Sequence, residues 1–251
     1  MGKQFCFSVV LKGAAVALPF ACAPLAFADG KFGGTLGVTS DYVAYGLSQT
    51  RGGAAIQADA HYQYSFAEEK AGLFAGAFAS TLNPNRYNNA DKELDGYIGA
   101  TWRMDGGSTA TFTATHYSYP GDSNRRRYDY DELSLTWGVL DQRLFGTVAW
   151  SPNIQNYGGN ATPRCCREVS FEVTAHQPLA HRFTLIAGVG YAELAGVAGY
   201  GYWNAGVSRM LWDMELNLSY IGTQERAEYL FSEAVAGPRW AASAFWRFGG
   251  R

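Results

Sequence analysis

Residues 54–66 read Ala-Ala-Ile-Gln-Ala-Asp-Ala-His-Tyr-Gln-Tyr-Ser-Phe, and this stretch decides the fold. Taken alternately, one set of its side chains is apolar or aromatic, from Ile56 to Phe66. The other set is polar, from Gln57 to Ser65. Because side chains alternate across a β-strand with period two, the stretch predicts a strand whose two faces meet different environments. A length of about ten residues is also typical of a strand that crosses a membrane at a tilt.

The first 28 residues have the features of a secretory signal peptide. Lys3 and Lys12 are their only charged residues, and an apolar core at 13–20 precedes a small-residue cleavage site at 26–28. A lipoprotein signal ending at Cys22 is the alternative, but Pro-Phe-Ala before that cysteine is a poor match to such a site. We therefore predict export through a cleaved signal peptide, residues 1–28.

The remaining chain, residues 29–251, has the size and composition of one β-barrel domain. It is rich in aromatic residues and glycine, and the whole chain has only 8 prolines. Of the 20 Lys and Arg residues two belong to the signal peptide, and 22 Asp and Glu residues oppose the rest. This acidic balance argues against a nucleic-acid partner.

The two cysteines left after cleavage of the signal peptide, Cys165 and Cys166, are adjacent. They are interpreted as two loop thiols or as a strained vicinal disulfide, because neighbouring residues cannot join distant segments. A metal site would need further His or Cys residues at ligand spacing, and none is near. No glycine-rich phosphate loop is present either, so no cofactor is predicted.

Twelve strands are predicted, and they form a transmembrane antiparallel up-and-down β-barrel with both termini in the periplasm. Longer links follow the odd-numbered strands and short turns follow the even-numbered ones, which is the asymmetry of bacterial outer-membrane barrels. A soluble sandwich has no reason to keep its long loops at one end. The predicted strands are 32–45, 54–66, 73–81, 93–103, 109–119, 130–139, 144–151, 168–176, 183–192, 200–210, 214–221 and 238–248.

Aromatic residues near the strand ends indicate that the apolar face meets lipid. One band lies toward the short turns, at Tyr62, Tyr64, Phe66, Trp102, Trp137, Phe183, Trp246 and Phe248. A second band lies toward the long loops, at Tyr42, Trp150, Tyr191, Tyr220 and Trp240. Two bands fit the two interfaces of a bilayer. The predicted location is the outer membrane of a Gram-negative bacterium, and the alternative is a secreted soluble β-protein.

The polar face then lines the barrel lumen. The predicted pore-lining residues are Asp41, Gln57, Asp59, His61, Glu93, Asp95, Arg103, Glu132, Glu168, Glu172, Glu215, Arg239 and Arg247, with His176 as a possible further base. Acidic residues outnumber basic ones, and rings of carboxylates favour cations. We expect a porin-like channel for passive diffusion of small cationic or neutral solutes. Alternatively, these acids pair with arginine across the barrel and close it, leaving a structural or adhesive barrel.

The loop residues Arg125, Arg126 and Arg127 are expected outside the cell. They are interpreted either as a solvated loop or as a contact with phosphates of lipopolysaccharide. The predicted partners are outer-membrane lipid, lipopolysaccharide and small solutes. The oligomeric state does not follow from the sequence.

An enzyme is the least supported class. A hydrolase of the serine type needs a nucleophile beside a general base, usually histidine. His116 and Ser118 lie on the same face of one predicted strand, but no third member is evident from the sequence. His61 and Ser65 share the lumen face at a greater separation. We therefore predict that the protein is not an enzyme.

Several blocks resemble the TorF family of putative porins of proteobacterial outer membranes. The most specific block is Ser-Asp-Tyr-Val-Ala-Tyr-Gly-Leu-Ser-Gln-Thr at 40–50, followed by Ala-Ala-Ile-Gln at 54–57. Weaker blocks lie at 93–95, 116–121, 130–133, 202–203 and in the final strand. Many members carry Arg before the glycine of the first block, where this chain has Tyr45. The resemblance implies an outer-membrane, porin-like barrel and no particular substrate.

Overall fold

The computed structural model describes residues 30–66, 70–83, 90–121, 128–154, 167–194 and 198–249. In chain order its elements are β1 (Lys31–Thr39), β2 (Val43–Ala44), β3 (Leu47–Ser48), β4 (Ala55–Phe66), β5 (Ala71–Thr81), β6 (Lys92–Arg103), β7 (Thr109–Ser118), β8 (Tyr130–Val139), β9 (Leu144–Ser151), β10 (Glu168–Pro178), a 3-10 turn (Ala180–Arg182), β11 (Phe183–Leu194), β12 (Ala198–Leu211), β13 (Met214–Thr223), α1 (Glu225–Phe231), α2 (Glu233–Ala236) and β14 (Arg239–Gly249). The two short strands β2 and β3 pair only with each other.

The other twelve described strands form one closed antiparallel barrel. Each strand pairs with its neighbour in the barrel order, and β1 closes the ring by pairing with β14 from Gly33↔Gly249 to Thr39↔Ser243. Closure satisfies the backbone groups that an open sheet edge would leave unpaired. The predicted fold class, an all-β up-and-down barrel of about twelve strands, is confirmed.

The alternation of residues 54–66 places polar side chains inside the barrel. In β4 the side chain of Asp59 is 2% exposed, whereas Ile56 on the opposite face is 59% exposed. The same pattern recurs in the other strands of the ring, so most of the exterior is apolar. An apolar exterior around a polar interior is the arrangement of barrels that sit in lipid.

Exposed aromatic side chains lie near both ends of this exterior. Toward the short turns they are Phe32, Tyr62, Tyr64, Phe66, Trp102, Trp137, Trp212 and Trp246. Toward the long links they are Trp150, Tyr191, Trp203 and Trp240. Tyr42, predicted in this second band, is instead buried and points into the lumen.

The first strand ends at Thr39, six residues earlier than predicted. After Ser40 the chain turns inward and forms the β2–β3 hairpin. The backbone N–H of Tyr42 donates to Thr50 Oγ1 and that of Gly52 to Ser48 Oγ, so side-chain hydroxyls give the backbone a local alternative to the barrel ladder. Polar residues at Thr39 and Asp41 continue the alternation of the strand. The sequence pattern therefore does not distinguish a longer strand from an inward turn at this point.

Two further boundaries differ from the prediction. The link after β11 was predicted to span 193–199, but β11 and β12 pair as far as Leu194↔Ala198 and leave only residues 195–197 between them. Long links therefore do not follow every odd-numbered strand of the barrel. The predicted loop 222–237 contains α1 and α2. Among the residues described, no helix has the length and hydropathy to cross a membrane.

Candidate functional site in the barrel lumen

The β2–β3 hairpin is the central feature of the lumen at the end with the long links. Its turn is Tyr45-Gly46, and both residues have positive φ, 50° and 76°. This is the backbone of a two-residue hairpin turn of type I′. A Cβ atom on Gly46 would lie 2.6 Å from the Cβ of Tyr202, so the barrel wall leaves room only for glycine.

Asp41 organises the base of the hairpin. Its Oδ1 accepts hydrogen bonds from Ser48 Oγ at 2.5 Å and Thr50 Oγ1 at 2.7 Å. Its Oδ2 pairs with Arg239 Nη1 of β14 at 3.0 Å. The two charges are shielded from solvent, so removal of either partner would leave a buried charge unpaired.

Two tyrosines connect the hairpin to acidic side chains of the wall. The Tyr42 hydroxyl donates to Glu93 Oε1 at 3.0 Å, and the Tyr45 hydroxyl donates to Glu132 Oε2 at 2.9 Å. Tyr117 of β7 donates to the other oxygen of Glu132 at 3.2 Å. These contacts link the hairpin to β6 and β8, which lie on a different side of the barrel from Arg239.

Burial raises the pKa of both hairpin tyrosines well above the ordinary value. For Tyr42 the nearby charge of Glu93 adds to this effect, and for Tyr45 the charge of Glu132 does so. The phenols therefore stay neutral and keep their protons as hydrogen-bond donors over the physiological pH range.

The helices α1 and α2 pack beside the hairpin at the same end. Ala227 and Ala236 are fully buried, and α2 contacts β3. Phe231 meets the ring of Tyr200 edge to face at 5.5 Å. Thr223 Oγ1 donates to the carbonyl of Ala236 at 2.7 Å. The hairpin and the two helices together occupy the long-link end of the lumen.

Further hydroxyl–carboxylate and ion pairs lie along the wall. Tyr97 donates to Asp59 Oδ2 at 2.6 Å, and His61 Nδ1 lies 2.8 Å from Asp59 Oδ1. In another part of the wall, formed by β10, β12, β13 and β14, Glu172 and Glu215 also have partners. Tyr202 donates to Glu172 at 3.0 Å, and Arg247 pairs with Glu215. Between these groups the wall carries small polar side chains, namely Thr35, Thr39, Thr101, Thr113, Thr136, Ser170, Ser219 and Ser243, all of them buried.

None of the predicted pore-lining residues is exposed on the outside of the barrel. The structure brings Asp41 together with Arg239, Asp59 with His61, and Glu215 with Arg247. Arg103 lies at the end of β6 and Glu168 at the start of β10, far from one another along the barrel. Gln57 donates to Ser80 on the neighbouring strand at 3.2 Å.

Among the described residues, the tyrosine donors and Lys31 face inward but were not predicted to line the lumen. One signal for the donors was present, because Tyr97 falls on the polar face of its strand in the alternation of residues 93–103. No such signal marked Tyr45, whose place depends on the hairpin. The predicted loop residues Arg125–Arg127 and the pair Cys165 and Cys166 lie outside the described residues. Within the described ranges, no group of three or more His, Cys, Asp or Glu residues is arranged to hold a metal ion.

A family profile described as a bacterial protein of unknown function, Gcw_chp, matches residues 26–248. The chain belongs to the Gcw_chp family. The TorF name suggested by the sequence blocks is not confirmed, although the kind of protein that it implied, an outer-membrane barrel, agrees with the fold. No curated protein matches the chain.

Solved structures of membrane barrels are similar to this one at low sequence identity. A membrane protein studied for in-meso crystallization is 9% identical, with 86% of this chain and 83% of that chain covered and a TM-score of 0.54. An outer-membrane channel from Pseudomonas putida F1 is 12% identical, with coverages of 90% and 97% and a TM-score of 0.49. An active-site variant of outer-membrane phospholipase A from Escherichia coli is 12% identical, with coverages of 91% and 92% and a TM-score of 0.48. The first of these supports the fold, and none identifies a solute or a reaction for this chain.

Proposed function

We propose that the protein is an outer-membrane channel for passive diffusion of small solutes, closed at its long-link end by the β2–β3 hairpin. The observation that carries the proposal is the inserted hairpin itself. Eight strands already make a barrel that wall side chains can fill, and twelve strands enclose more space than that. Here a separate segment of chain enters the lumen and is held there by hydrogen bonds to wall carboxylates.

The contacts of the hairpin support a closure that can reverse. A hydrogen bond to a charged group contributes about 1.5–3 kcal/mol net, because water replaces it when it breaks. The hairpin can therefore leave its position without loss of the ladder hydrogen bonds that hold the twelve strands. The ends of the segment also lie close together, since the Gln49 N–H donates to the Tyr42 carbonyl at 2.7 Å. The hairpin is thus a compact unit whose two chain ends join the barrel at one place.

The inward-facing charges favour cationic or neutral solutes. The acidic ones are Asp41, Asp59, Glu93, Asp95, Glu132, Glu168, Glu172 and Glu215, and the basic ones are Lys31, Arg103, Arg239 and Arg247. An excess of carboxylates around a pore raises the local concentration of cations and repels anions. We propose the thirteen residues predicted from the sequence as pore-lining residues on this basis.

The orientation and surroundings complete the proposal. The long-link end faces the outside and both termini face the periplasm, as in barrels with short periplasmic turns. Residues 1–28 are removed as a signal peptide during export. The apolar exterior contacts outer-membrane lipid, and the outer rim contacts lipopolysaccharide.

Single-channel recording in a lipid bilayer tests this function. In the test variant Val43–Ser48 is replaced by Gly-Ser-Gly, which the adjacent ends of the hairpin allow. We expect rare openings from the wild-type protein and sustained current from the variant. With a salt gradient the reversal potential of the variant should lie on the side of the cation equilibrium potential. Tyr229→Phe, at an exposed hydroxyl of α1, is the matched control and should behave as the wild type.

A non-conducting structural or adhesive barrel is the second candidate, and the occupied lumen is the observation that favours it. A folded hairpin-less variant without conductance would support this candidate and overturn the channel. Current with anion preference would still support the proposed channel and would contradict only its proposed cation selectivity.

A further inference from the structure

A polar cluster lies on the outward face of β7 and β8, at the long-link end of the barrel and apart from the lumen. His116 is directly opposite Asp131 in the strand register, and both side chains are exposed. The His116 Nδ1 and the Asp131 Oδ1 are 2.7 Å apart. An ionised carboxylate can only accept, so Nδ1 carries the proton of this hydrogen bond.

Asn153, which follows β9, holds the Asp131 carboxylate from a second direction. Its Nδ2 donates to Asp131 Oδ2 at 2.9 Å, and its Oδ1 accepts the backbone N–H of Asp131 at 2.8 Å. The carboxylate is therefore fixed between the imidazole and the amide. A carboxylate fixed on Nδ1 orients the ring and leaves the lone pair of Nε2 available as a base. Among the described residues, the imidazole of His116 has no hydrogen-bond partner besides Asp131.

Ser118 is two residues further along the same face of β7. Tyr117 between them is buried in the lumen, so the alternation of the strand places both His116 and Ser118 outside. At a rise of about 3.3 Å per residue, their Cα atoms are separated by roughly 6.6 Å along the strand. An imidazole and a hydroxymethyl group can bridge such a gap on one face. In the part of the chain that the structure describes, the Ser118 hydroxyl has no hydrogen-bond partner and is free to rotate toward Nε2.

The cluster borders the apolar exterior of the barrel. Leu94 lies opposite Ser118 on β6, and Leu133 and Trp150 lie one step nearer the middle of the membrane. All three side chains are exposed. An acyl chain lying along this surface would bring its ester carbonyl to the level of Ser118, at the boundary between hydrocarbon and water.

We propose that Ser118, His116 and Asp131 form a serine esterase site on the outer wall of the barrel, and that its substrate is an acyl ester of a membrane lipid or similar amphiphile. Ser118 is the nucleophile and His116 the general base. Asp131, itself held by Asn153, is a positioning residue. No third member for His116 and Ser118 is evident in the sequence, and the register of β7 with β8 supplies one.

The reaction follows from these positions. The Ser118 hydroxyl gives its proton to His116 Nε2 while its oxygen bonds to the ester carbonyl carbon. The bond from that carbon to the alcohol oxygen breaks, and the alcohol leaves with the proton from Nε2. Water then attacks the acyl-serine, gives one proton to Nε2, and forms the carboxylic acid. The Ser118 oxygen leaves and recovers the proton from Nε2, which restores the site.

The experiment uses the folded full barrel in detergent micelles, with p-nitrophenyl decanoate as substrate and a fluorophosphonate as a probe of reactive serines. We expect ester turnover and a covalent adduct that mass spectrometry places on Ser118. Ser118→Ala and His116→Ala should abolish both. Asp131→Asn should lower kcat by about 10²–10⁴-fold, as for other orienting carboxylates, and should shift the pH at half-maximal activity.

His181→Ala is the matched control, because His181 is exposed in a turn at the other end of the barrel, and its turnover should equal that of the wild type. The hairpin-less variant should also keep full esterase activity, which separates this site from the channel. Folded wild-type protein that neither hydrolyses the ester nor takes up the probe at Ser118 would overturn the proposal. Equal turnover by Ser118→Ala would overturn it as well, and the site of the wild-type adduct decides the question even where a variant fails to fold.

Discussion

Tyr45 has a backbone conformation that is unusual for a bulky residue, and its side chain makes a long-range contact. A bulky side chain at φ 50° is disfavoured, and glycine or asparagine is usual at such a position in a hairpin turn. The hydroxyl of Tyr45 nevertheless reaches Glu132 of β8, a residue 87 positions away in the sequence. The unfavourable backbone conformation is thus accompanied by a contact that fixes the hairpin to the barrel wall.

Tyr45→Phe tests this contact at the residue scale. The change removes the hydroxyl and leaves the Glu132 carboxylate with Tyr117 and Ser151 as hydrogen-bond partners. The docked hairpin should lose about 1–3 kcal/mol, which corresponds to a rise of roughly 5–150-fold in the ratio of open to closed channel. Single-channel open probability measures this ratio. Tyr229→Phe is again the control, and an unchanged open probability in Tyr45→Phe would mean that the hydroxyl does not hold the closed state.

At the scale of the element, the β2–β3 hairpin should respond to alkaline pH. The pKa values of Tyr42 and Tyr45 are raised in the docked hairpin, whereas a free tyrosine titrates near about 10. The docked state thus favours the protonated phenols. Its stability is fully present below the free pKa and is lost as the pH rises through the raised values.

Channel recordings between pH 7 and about pH 11 measure this response. We expect low open probability up to the ordinary tyrosine pKa, about 10, and a progressive increase above it. The variant without Val43–Ser48 supplies the control, since its current should lack this increase. A wild-type open probability that stays flat across the range would contradict the role of the phenols.

For the whole molecule, the exterior determines how the barrel sits in the membrane. Ala58 faces outward on β4 beside Leu36 of β1 and Ala79 of β5. Ala58→Arg should destabilise the folded protein in lipid by about 2–4 kcal/mol if the site is close to the bilayer midplane. Urea titration in phospholipid vesicles measures the change. Gln177→Arg, at an exposed position near a short turn, should change stability little, and a similar loss in both variants would contradict a lipid-facing Ala58.

Gln57 illustrates how the interior differs from the sequence-based expectation. On the alternation alone, Gln57→Arg should be neutral for stability because a wet lumen tolerates charge. The side chain is instead buried and bonded to Ser80, so the lumen at this level is packed while the hairpin occupies it. We expect Gln57→Arg to destabilise the closed barrel, because a larger side chain must fit into a packed site.

Most of the barrel could be predicted from residue patterns. The strand of residues 54–66 and the facing of its side chains agree with the structure to within one residue. The prediction failed at the end of the first strand, where Asp41 kept the polar alternation while the chain had already turned inward. It also failed at the loop 222–237, where the short helices α1 and α2 are stabilised by burial of Ala227 and Ala236 and not by a strong local signal.

The sequence by itself determined which face of the barrel meets lipid and which lines the lumen. Period-two alternation assigns each strand residue to one face, and the aromatic bands assign the apolar face to lipid. Only the tertiary structure decided what occupies the lumen. The partners of Asp41 and Tyr45 are Arg239 and Glu132, which are 198 and 87 positions away. Such pairs depend on the register of twelve strands and on the inward path of one loop, which no local pattern of residues encodes. The same register places Asp131 beside His116 and turns two isolated side chains into a candidate site.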